Sequence, residues 1–436
     1  MAHITLPEMP KGKEFEEEVS ALFQSAGFFI ERNIKEKDVE EVLELDLIAT
    51  NYWLSPPDIK LIEVKSGDWG FPDIFKVKGW MEYLNISNGL FIVKEEKPKF
   101  DFYQRKIAHL NIDLRKIRES QIEEGLQDIF VAKPNKIDIV NWRFSYWIER
   151  NLLALLKHKK KSQKDQERFR VMEDYYEKIN SDLFFTEIIS ARLHELYSTF
   201  QRYPRISAKC GNEMLGNPFD AEYDLLPRDI YADTYYSCAL NDIQISTFIE
   251  HKSRLAVLKN AVDYKLYREA GMKNKTEWIL KIMGQEIDMG GNLPASFLTG
   301  LETVSRHPFF FLYPIFWQWF MFLFGGFILK DYEEQEYKML SEKTNIPIDE
   351  IPNALSVYDI LFPRDGGWFM DLLATSNVNV RLLRMFPVPF MGVGANYRRM
   401  LYTDTAKYEE LKLTGAYTHK EIVKWNNLAV EVLSRE

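Results

Sequence analysis

Hydrophobic and polar residues alternate along two neighbouring stretches of the chain, residues 43–50 and 59–65. A period of two is typical of a β-strand, because successive side chains of a strand point to opposite faces. Pro56 and Pro57 lie between the stretches and predict a turn, so we expect the strands to pair as a hairpin. The apolar positions expected to share one face of the first strand are Leu43, Leu45, Leu47 and Ala49.

Three charged residues are expected to meet on this hairpin. Glu63 and Lys65 are two positions apart and share a face of the second strand, and pairing can bring Asp46 beside them. Two carboxylates and an ammonium group on one sheet face are costly unless an ion or a substrate compensates their charge. The pattern therefore predicts a functional site, and the alternative is a structural cluster of salt bridges.

The surrounding residues predict the remaining elements of an α/β domain. Helices are expected over residues 11–27, 72–85 and 100–109, and further strands over 28–34, 89–93 and 110–114. The resulting order is a helix, three strands, a helix and a strand, with a last helix and strand behind them. Such an order predicts a three-strand meander followed by a helical crossover, which makes a mixed sheet flanked by helices.

The first predicted helix carries a run of glutamates beside its apolar stripe. The stripe consists of Phe15, Val19, Leu22, Phe23 and Ala26. At 100° per residue, Glu17 falls opposite this stripe, whereas Glu16 and Glu18 flank it. Only a flanking acid can lean toward a site on the underlying sheet. We therefore expect Glu17 at the solvated surface, and Glu16 either there or at the site.

A mostly helical region is predicted beyond a break at residues 133–135. We divide the chain into an α/β domain (1–135), a helical domain (136–305) and an aromatic-rich helical C-terminal region (306–436). The helical domain contains a basic run, residues 157–170. Such a run is either a solvated helix face or a patch that contacts phosphates.

Residues 308–329 carry no charge, and their number reaches that of a membrane span. The segment also contains Pro314, Gln318, Gly325 and Gly326, and phenylalanine and tryptophan dominate it. Two interpretations follow. One is a pair of buried core helices, which this composition favours, and the other is a membrane segment.

Residues 336–358 have the spacing of a helix-turn-helix. Its inner face would consist of Leu340, Ile346, Ile351 and Leu355, with the turn at Thr344 and Asn345. Pro352 is compatible only with the first turn of the second helix. A role in reading DNA is one interpretation, although the pattern also arises by chance in ordinary helical folds.

The composition of the 436-residue chain is that of a folded protein, with 46% hydrophobic and 28% charged residues. The net charge of −9 provides no global attraction for nucleic acid, so any polyanion must bind to a local basic patch. Cys210 and Cys238 are too few for a disulfide scaffold and fit a reducing compartment. No signal peptide is expected, so we expect a cytoplasmic protein.

The order of elements and the placement of these charges resemble the PD-(D/E)XK nuclease superfamily. The resemblance rests on an acid in the first helix, Asp46 on the second strand, and the sequence Glu63-Val64-Lys65 on the third. The first helix, GKEFEEEVSALFQSAGF, is similar to the G-x-x-FE opening of Mrr-like restriction endonucleases. This match selects Glu16 as the helix acid. The resemblance does not extend beyond residue 135.

This resemblance implies a restriction-endonuclease-like fold and a metal-dependent endonuclease of restriction or defence type. Asp46 and Glu63 would bind Mg²⁺, or alternatively Mn²⁺, with the Val64 carbonyl as a further ligand. Lys65 would orient the attacking water or offset transition-state charge, and Glu16 would act through water or a second ion. The implied partner is nucleic acid, first of all double-stranded DNA, and a homodimer would suit the cutting of both strands.

Two other functions are alternatives to the endonuclease. The first is a catalytically silent nuclease fold that binds nucleic acid or serves as a scaffold, while the helical part carries the function. The second is a membrane-tethered effector that uses residues 308–329 as an anchor. The four intact residues of the predicted site favour the endonuclease over the silent fold.

Overall fold

The structure is a computed structural model. It describes residues 3–6, 10–37, 40–94, 97–117, 125–160, 235–269, 293–329, 333–362, 370–374, 379–383, 388–402 and 416–418. Positions 173, 176, 177, 179 and 193 are described singly. Most of the predicted basic run, residues 161–170, lies outside the described residues.

A five-stranded mixed sheet forms the centre of the N-terminal region. A short strand, β1 (His3–Thr5), precedes it, and the sheet itself consists of β2 (Phe29–Lys37), β3 (Glu41–Asn51), β4 (Asp58–Lys65), β5 (Asn88–Val93) and β6 (Ile112–Lys116), in that spatial order. The pairs β2–β3 and β3–β4 are antiparallel, whereas β4–β5 and β5–β6 are parallel. The predicted hairpin, meander and mixed α/β sheet are therefore confirmed.

Helices cover both faces of this sheet. They are α1 (Lys13–Ser25), α2 (Phe71–Tyr83) and α3 (Phe100–Ala108). The predicted apolar stripe of α1 is buried on one face, with Phe15 at 2% exposure and Val19 and Leu22 at 0%. On the other face, Ile74 and Val77 of α2 pack with β3, β4 and β5. Because helices cover both faces, the central strands are apolar on both sides.

Strand β3 departs from the predicted alternation at its centre. Leu47 packs with residues of α1, but Leu43 and Leu45 pack in the cluster beneath α2 and α3. The change of face coincides with Asn33 of β2, which lies across from Asp46 and has a φ of 50°. The prediction that the four apolar positions share one face is therefore wrong, because this left-handed residue interrupts the regular period.

Helices predominate among the described residues beyond the sheet. They are α4 (Lys136–Lys160), α5 (Tyr235–Glu269), α6 (Ala295–Val304), α7 (Tyr313–Gln318), α8 (Glu333–Thr344), α9 (Ile351–Leu361) and α10 (Val388–Tyr402). The strands β7 (Phe327–Leu329), β8 (Met370–Ala374) and β9 (Asn379–Leu383) form a small antiparallel sheet, and β10 (Ala416–Thr418) pairs with β1. Helix α4 begins at the predicted break, where the Asn135 side chain accepts a hydrogen bond from Ile137 N at 2.8 Å.

The uncharged segment 308–329 lies in the core of the helical region. It consists of a 3₁₀ turn (Phe310–Leu312), α7, a π-helical turn (Trp319–Leu323) and β7. Every residue of α7 and of the π-helical turn is buried, and the Trp317 ring stacks on Tyr358 of α9. The core interpretation is confirmed. The predicted pair of helices is wrong, because Gly325 and Gly326, both at positive φ, turn the chain into a strand.

The membrane interpretation of residues 308–329 finds no support in this placement. Among the described residues, none of the helices is both long enough and apolar enough to span a bilayer. Two polar side chains of the segment, Trp317 and Gln318, donate hydrogen bonds to backbone carbonyls within the protein. Trp317 Nε1, for example, donates to the Ala354 carbonyl at 3.1 Å.

The helix pair predicted over residues 336–358 is present as α8 and α9, with a turn at Asn345. The predicted inner residues are at most 3% exposed; they are Leu340, Ile346, Ile351 and Leu355. Helix α9 contains no lysine or arginine, and Ala354, Val357 and Tyr358 are buried as well. It therefore lacks the accessible basic surface that a DNA-reading helix uses.

The face of α1 opposite the sheet is covered by α4, which corrects the expectation for Glu17. This residue is 3% exposed instead of solvated. Its carboxylate pairs with Arg150 of α4 at 3.0 Å and lies 4.0 Å from Arg32 of β2. The expectation was wrong because a helix packed on both faces has no solvated side, and hydrophobic periodicity reveals only the apolar one.

A buried glutamine connects the sheet to the helical region. Gln318 Oε1 accepts hydrogen bonds from Gln24 Nε2 of α1 at 2.7 Å and from Ile30 N of β2 at 3.1 Å. Gln318 Nε2 donates to the Ile30 carbonyl at 2.6 Å. The side chain therefore pairs with the backbone of β2 as a neighbouring strand would, and satisfies groups that are sealed from water.

We expect Gln318→Leu to lower the free energy of unfolding by about 3 kcal/mol, because three buried polar groups would each lose a hydrogen bond. Urea denaturation followed by circular dichroism measures the loss. Gln104→Leu is a matched control that removes one partly exposed hydrogen bond, to the Leu114 carbonyl. Equal losses for the two variants would contradict the bridging role of Gln318.

Gly79 offers a second test of the fold. It lies exposed in the middle of α2, and a Cβ placed on it would meet no atom within 4 Å. Gly79→Ala should therefore raise the free energy of unfolding by about 1 kcal/mol through helix propensity. In Gly89→Ala, by contrast, the new Cβ would lie 2.5 Å from Met81 Sδ, so this variant should unfold at a lower temperature than the wild type in thermal denaturation.

Candidate metal and catalytic site

The open end of the β3–β4 hairpin places two carboxylates opposite each other. Leu47 and Ile62 are the last paired residues of this ladder at the site end. The next position along each strand brings Asp46 across from Glu63. Val64 N donates a hydrogen bond to Asp46 Oδ2 at 2.9 Å, and this bond holds the Asp46 carboxylate against the end of β4.

Lys65 reaches back to Glu63 on the same face of β4. Lys65 Nζ lies 2.7 Å from Glu63 Oε1, and Glu63 is only 2% exposed. The other carboxylate oxygen, Glu63 Oε2, is buried and has no hydrogen-bond partner. A buried carboxylate oxygen without a partner is costly, so this atom indicates a missing cation or donor.

Burial and neighbouring carboxylates shift both Asp46 and Glu63 toward the protonated form. Burial, followed by the charge of Glu16, raises the pKa of Asp46 to about 6, although the Val64 N–H opposes this shift. Burial, followed by the charge of Asp46, raises the pKa of Glu63 to about 7, against the attraction of Lys65. The charge of Asp46 therefore acts on Glu63, and a cation between the two carboxylates would favour their ionised forms.

Helix α1 brings Glu16 to the same place. Gly12 N, just before α1, donates to Ser66 Oγ at 2.8 Å, and Lys94 Nζ donates to the Pro10 carbonyl at 3.1 Å. These bonds fasten the start of α1 to the ends of β4 and β5. Glu16 is half-buried, and its pKa is raised mainly by burial, with smaller contributions from Glu44 and Glu63. Of the glutamates on this helix, Glu16 has the largest effect on the pKa of Asp46.

Helix α2 contributes two charges that the sequence pattern did not indicate. Burial, Asp46 and Lys65 have the largest effects on the pKa of Glu63, and Lys76 lowers it further. Burial lowers the pKa of Lys65, but Glu63, Asp46 and, to a smaller extent, Asp73 raise it. Their proximity follows from the packing of α2 on the sheet, which no local pattern encodes.

The donor set fits a hard divalent cation. Asp46 and Glu63 provide carboxylate oxygens, one of them without a partner, and such oxygens suit Mg²⁺. The Val64 N–H points toward β3, and a strand residue directs its carbonyl to the same neighbouring strand, so the Val64 carbonyl lies on the Asp46 side. Within the described residues, no group of three or more His, Cys, Asp or Glu side chains could hold an ion. The Val64 carbonyl and water would have to complete the shell.

Comparisons with known proteins identify no relative. A scan against protein-family models and searches of curated proteins and of solved structures found no match.

The raised pKa values predict that the charges of the site destabilise the metal-free protein. A carboxylate whose pKa is higher in the folded state makes stability fall as pH rises from its unfolded pKa to its folded pKa. For Glu63 this window runs from its ordinary value of 4.5 to about 7. Asp46→Asn keeps an acceptor for Val64 N and removes one of the two charges, so it should raise the free energy of unfolding by about 1–2 kcal/mol near pH 8 in EDTA.

Urea denaturation near pH 5 and near pH 8 measures this effect, and the gain of Asp46→Asn should shrink at the lower pH. Asp68→Asn, which neutralises an exposed carboxylate outside the site, serves as the control and should leave the loss of stability toward pH 8 unchanged. Mg²⁺ should stabilise the wild type but not Asp46→Asn. If Asp46→Asn were no more stable than the wild type at the higher pH, the repulsion would be contradicted.

Proposed function

We propose that the chain is a metal-dependent phosphodiesterase that cleaves nucleic acid. The observation that carries the proposal is the meeting of Asp46, Glu63 and Lys65 at the open end of β3 and β4, with one buried carboxylate oxygen of Glu63 lacking a partner. Hydrolysis of a phosphodiester needs an activated water, neutralised phosphate charge and a stabilised leaving oxygen. Two acids and an amine in this arrangement suit all three needs.

The residues of the site take separate roles in this proposal. Asp46, Glu63 and the Val64 carbonyl would hold Mg²⁺, or Mn²⁺, which polarises the phosphate and lowers the pKa of a water when it is bound. Lys65, held at Glu63 by its ion pair, would orient the attacking water and offset charge in the transition state. Glu16 would hold the metal through water or bind a second ion.

The fold order supports a restriction-endonuclease-like assignment. An acidic first helix, a three-strand antiparallel meander and a crossover helix into a parallel strand are present, with the acids on the elements that the PD-(D/E)XK resemblance requires. The resemblance favours duplex DNA as substrate and a restriction or defence role. The silent-fold alternative keeps the geometry without turnover, and an activity assay separates the two.

The test is a cleavage assay with Mg²⁺ on duplex DNA, single-stranded DNA and RNA. Lys65→Ala and Asp46→Ala should each reduce the cleavage rate at least about 100-fold, because each removes charge stabilisation from the transition state. Gel electrophoresis of labelled substrates measures the rate. EDTA should abolish cleavage and Mn²⁺ should restore it.

Lys60→Ala is the matched control for Lys65→Ala. Lys60 lies on the same strand and pairs with Asp58 at 2.6 Å, but it is five positions from Lys65 and three from Glu63. We expect this variant to cleave at the wild-type rate. Cleavage that survives in Lys65→Ala, or that falls equally in Lys60→Ala, would overturn the assignment, and a wild type that binds but never cleaves would favour the silent fold.

A further inference from the structure

Two phenylalanines on α2 and α3 are exposed beside the candidate site. Phe75 is 58% exposed and Phe102 is 42% exposed. Phe71, which is half-buried, connects them: its ring lies 6.1 Å from Phe75, nearly parallel to it, and 6.4 Å from Phe102, edge to face. We call Phe71, Phe75 and Phe102 the aromatic patch. Exposed apolar side chains that contact one another in this way form a candidate binding surface.

The aromatic patch rests on a rigid base. Behind it, Tyr103 lies 5.0 Å from Phe71 and 5.1 Å from the buried Trp69, measured between ring centroids. Trp69 in turn contacts Phe91 in the central strand β5 at 5.9 Å. The exposed rings are therefore held by packed neighbours, which lowers the entropy lost when a flat group stacks on them.

The charge around the aromatic patch is positive. Lys76 follows Phe75 directly and is exposed, and Lys106 Nζ lies 6.0 Å from the Phe102 ring. On α3 and just before it, Lys99, Arg105 and Lys106 are exposed and outnumber the one acid of that helix, Asp101, whereas the whole chain carries −9. Such a local excess attracts a polyanion to this face, although the protein as a whole repels it.

Helix α2 connects the aromatic patch to the candidate site. Lys76 is close enough to Glu63, and Asp73 to Lys65, for each charge to affect the partner's ionisation. At 100° per residue, Phe75 projects from the helix 100° away from Lys76, and both side chains are exposed. A strand bound to the rings would therefore cross the exposed face of α2 at Lys76 to reach the two carboxylates.

From this combination we infer that the aromatic patch binds an unpaired nucleic-acid strand, whose bases stack on Phe75 and Phe102 while Lys76 and Lys106 contact its phosphates. Exposed rings interleaved with cations are the features that single-strand-binding surfaces share, whereas the bases of a continuous duplex are stacked on each other and cannot reach the rings. The inference rests on the proposed function for the identity of the ligand as nucleic acid. It refines the expected substrate from a continuous duplex to one with an unpaired strand beside the scissile phosphate.

Fluorescence anisotropy of the full chain in EDTA tests the inference without cleavage. The probes are a labelled single-stranded DNA, a single-stranded RNA of the same sequence, and the blunt DNA duplex. Phe75→Leu and Phe102→Leu keep apolar volume but remove the aromatic face, so each should weaken single-strand binding about tenfold and leave duplex binding unchanged. The two single strands distinguish a DNA from an RNA ligand.

Two further variants make the result decisive. Trp53→Leu removes another exposed aromatic ring, at the tip of the β3–β4 hairpin, and should bind as the wild type does. Phe75→Trp retains a stacking face and should keep wild-type affinity, which a folding defect would not allow. Thermal melting of each variant controls for loss of structure.

The inference is overturned if Phe75→Leu binds single strands normally, if single-strand and duplex binding fall together, or if Phe75→Trp loses affinity as Phe75→Leu does. It is also overturned if sedimentation velocity shows that the wild type self-associates through the patch and Phe75→Leu does not. A wild type that binds single strands but cleaves nothing with Mg²⁺ would refute the proposed phosphodiesterase activity but not single-strand binding by the aromatic patch. A wild type that cleaves while all variants bind normally would refute only the binding role of the aromatic patch.

Discussion

The antiparallel register of β3 and β4 is the constraint on which the candidate site depends. It sets Asp46 across from Glu63, and the end of the ladder leaves the Val64 N–H for Asp46 instead of for a strand neighbour. Two buried carboxylates that face each other repel, so the apolar clusters on both sides of the sheet must supply the free energy that keeps them there. Placing two like charges side by side lowers the stability of the fold, and such an arrangement is characteristic of sites that bind an ion or a substrate.

Helix α1 connects the sheet to the rest of the chain, because it packs against other elements on both of its sides. One side packs on the sheet through Phe15 and Val19, while the other meets α4, where Glu17 pairs with Arg150. The Gln318 side chain then fixes α1 and β2 to the aromatic core of the helical region. The helix that carries Glu16 is thus positioned by residues far away in sequence. The helical region is therefore part of what orients the site, and not only an attached module.

The sequence predicts those parts of the structure that depend on local order. The hairpin around Pro56, the helix ending near Gly27, and the face shared by Glu63 and Lys65 follow from periodicity, because each involves neighbours in the chain. The burial of Glu17 does not follow, since it depends on α4, more than a hundred residues later. The same reason explains Lys76, whose proximity to Glu63 arises from how α2 packs on the sheet. Residues 308–329 are a case in which composition predicts burial but not the path of the backbone. That path depends on Gly325 and Gly326, which are both at positive φ.

Charge distribution joins the site to its surroundings. A chain with a net charge of −9 repels polyanions at a distance, so under the proposed function a nucleic acid would have to be attracted at close range, within a Debye length of a basic surface. Lys76 and Lys106 would provide that short-range attraction near the exposed rings of Phe75 and Phe102. A weakly attractive, stacking surface discriminates by the availability of unstacked bases more than by charge, since every nucleic acid carries the same phosphates. Nucleic acid would then reach the acidic site mainly after its unpaired bases had bound to the rings. The protein would therefore select its substrate by the presence of unpaired bases more than by base sequence.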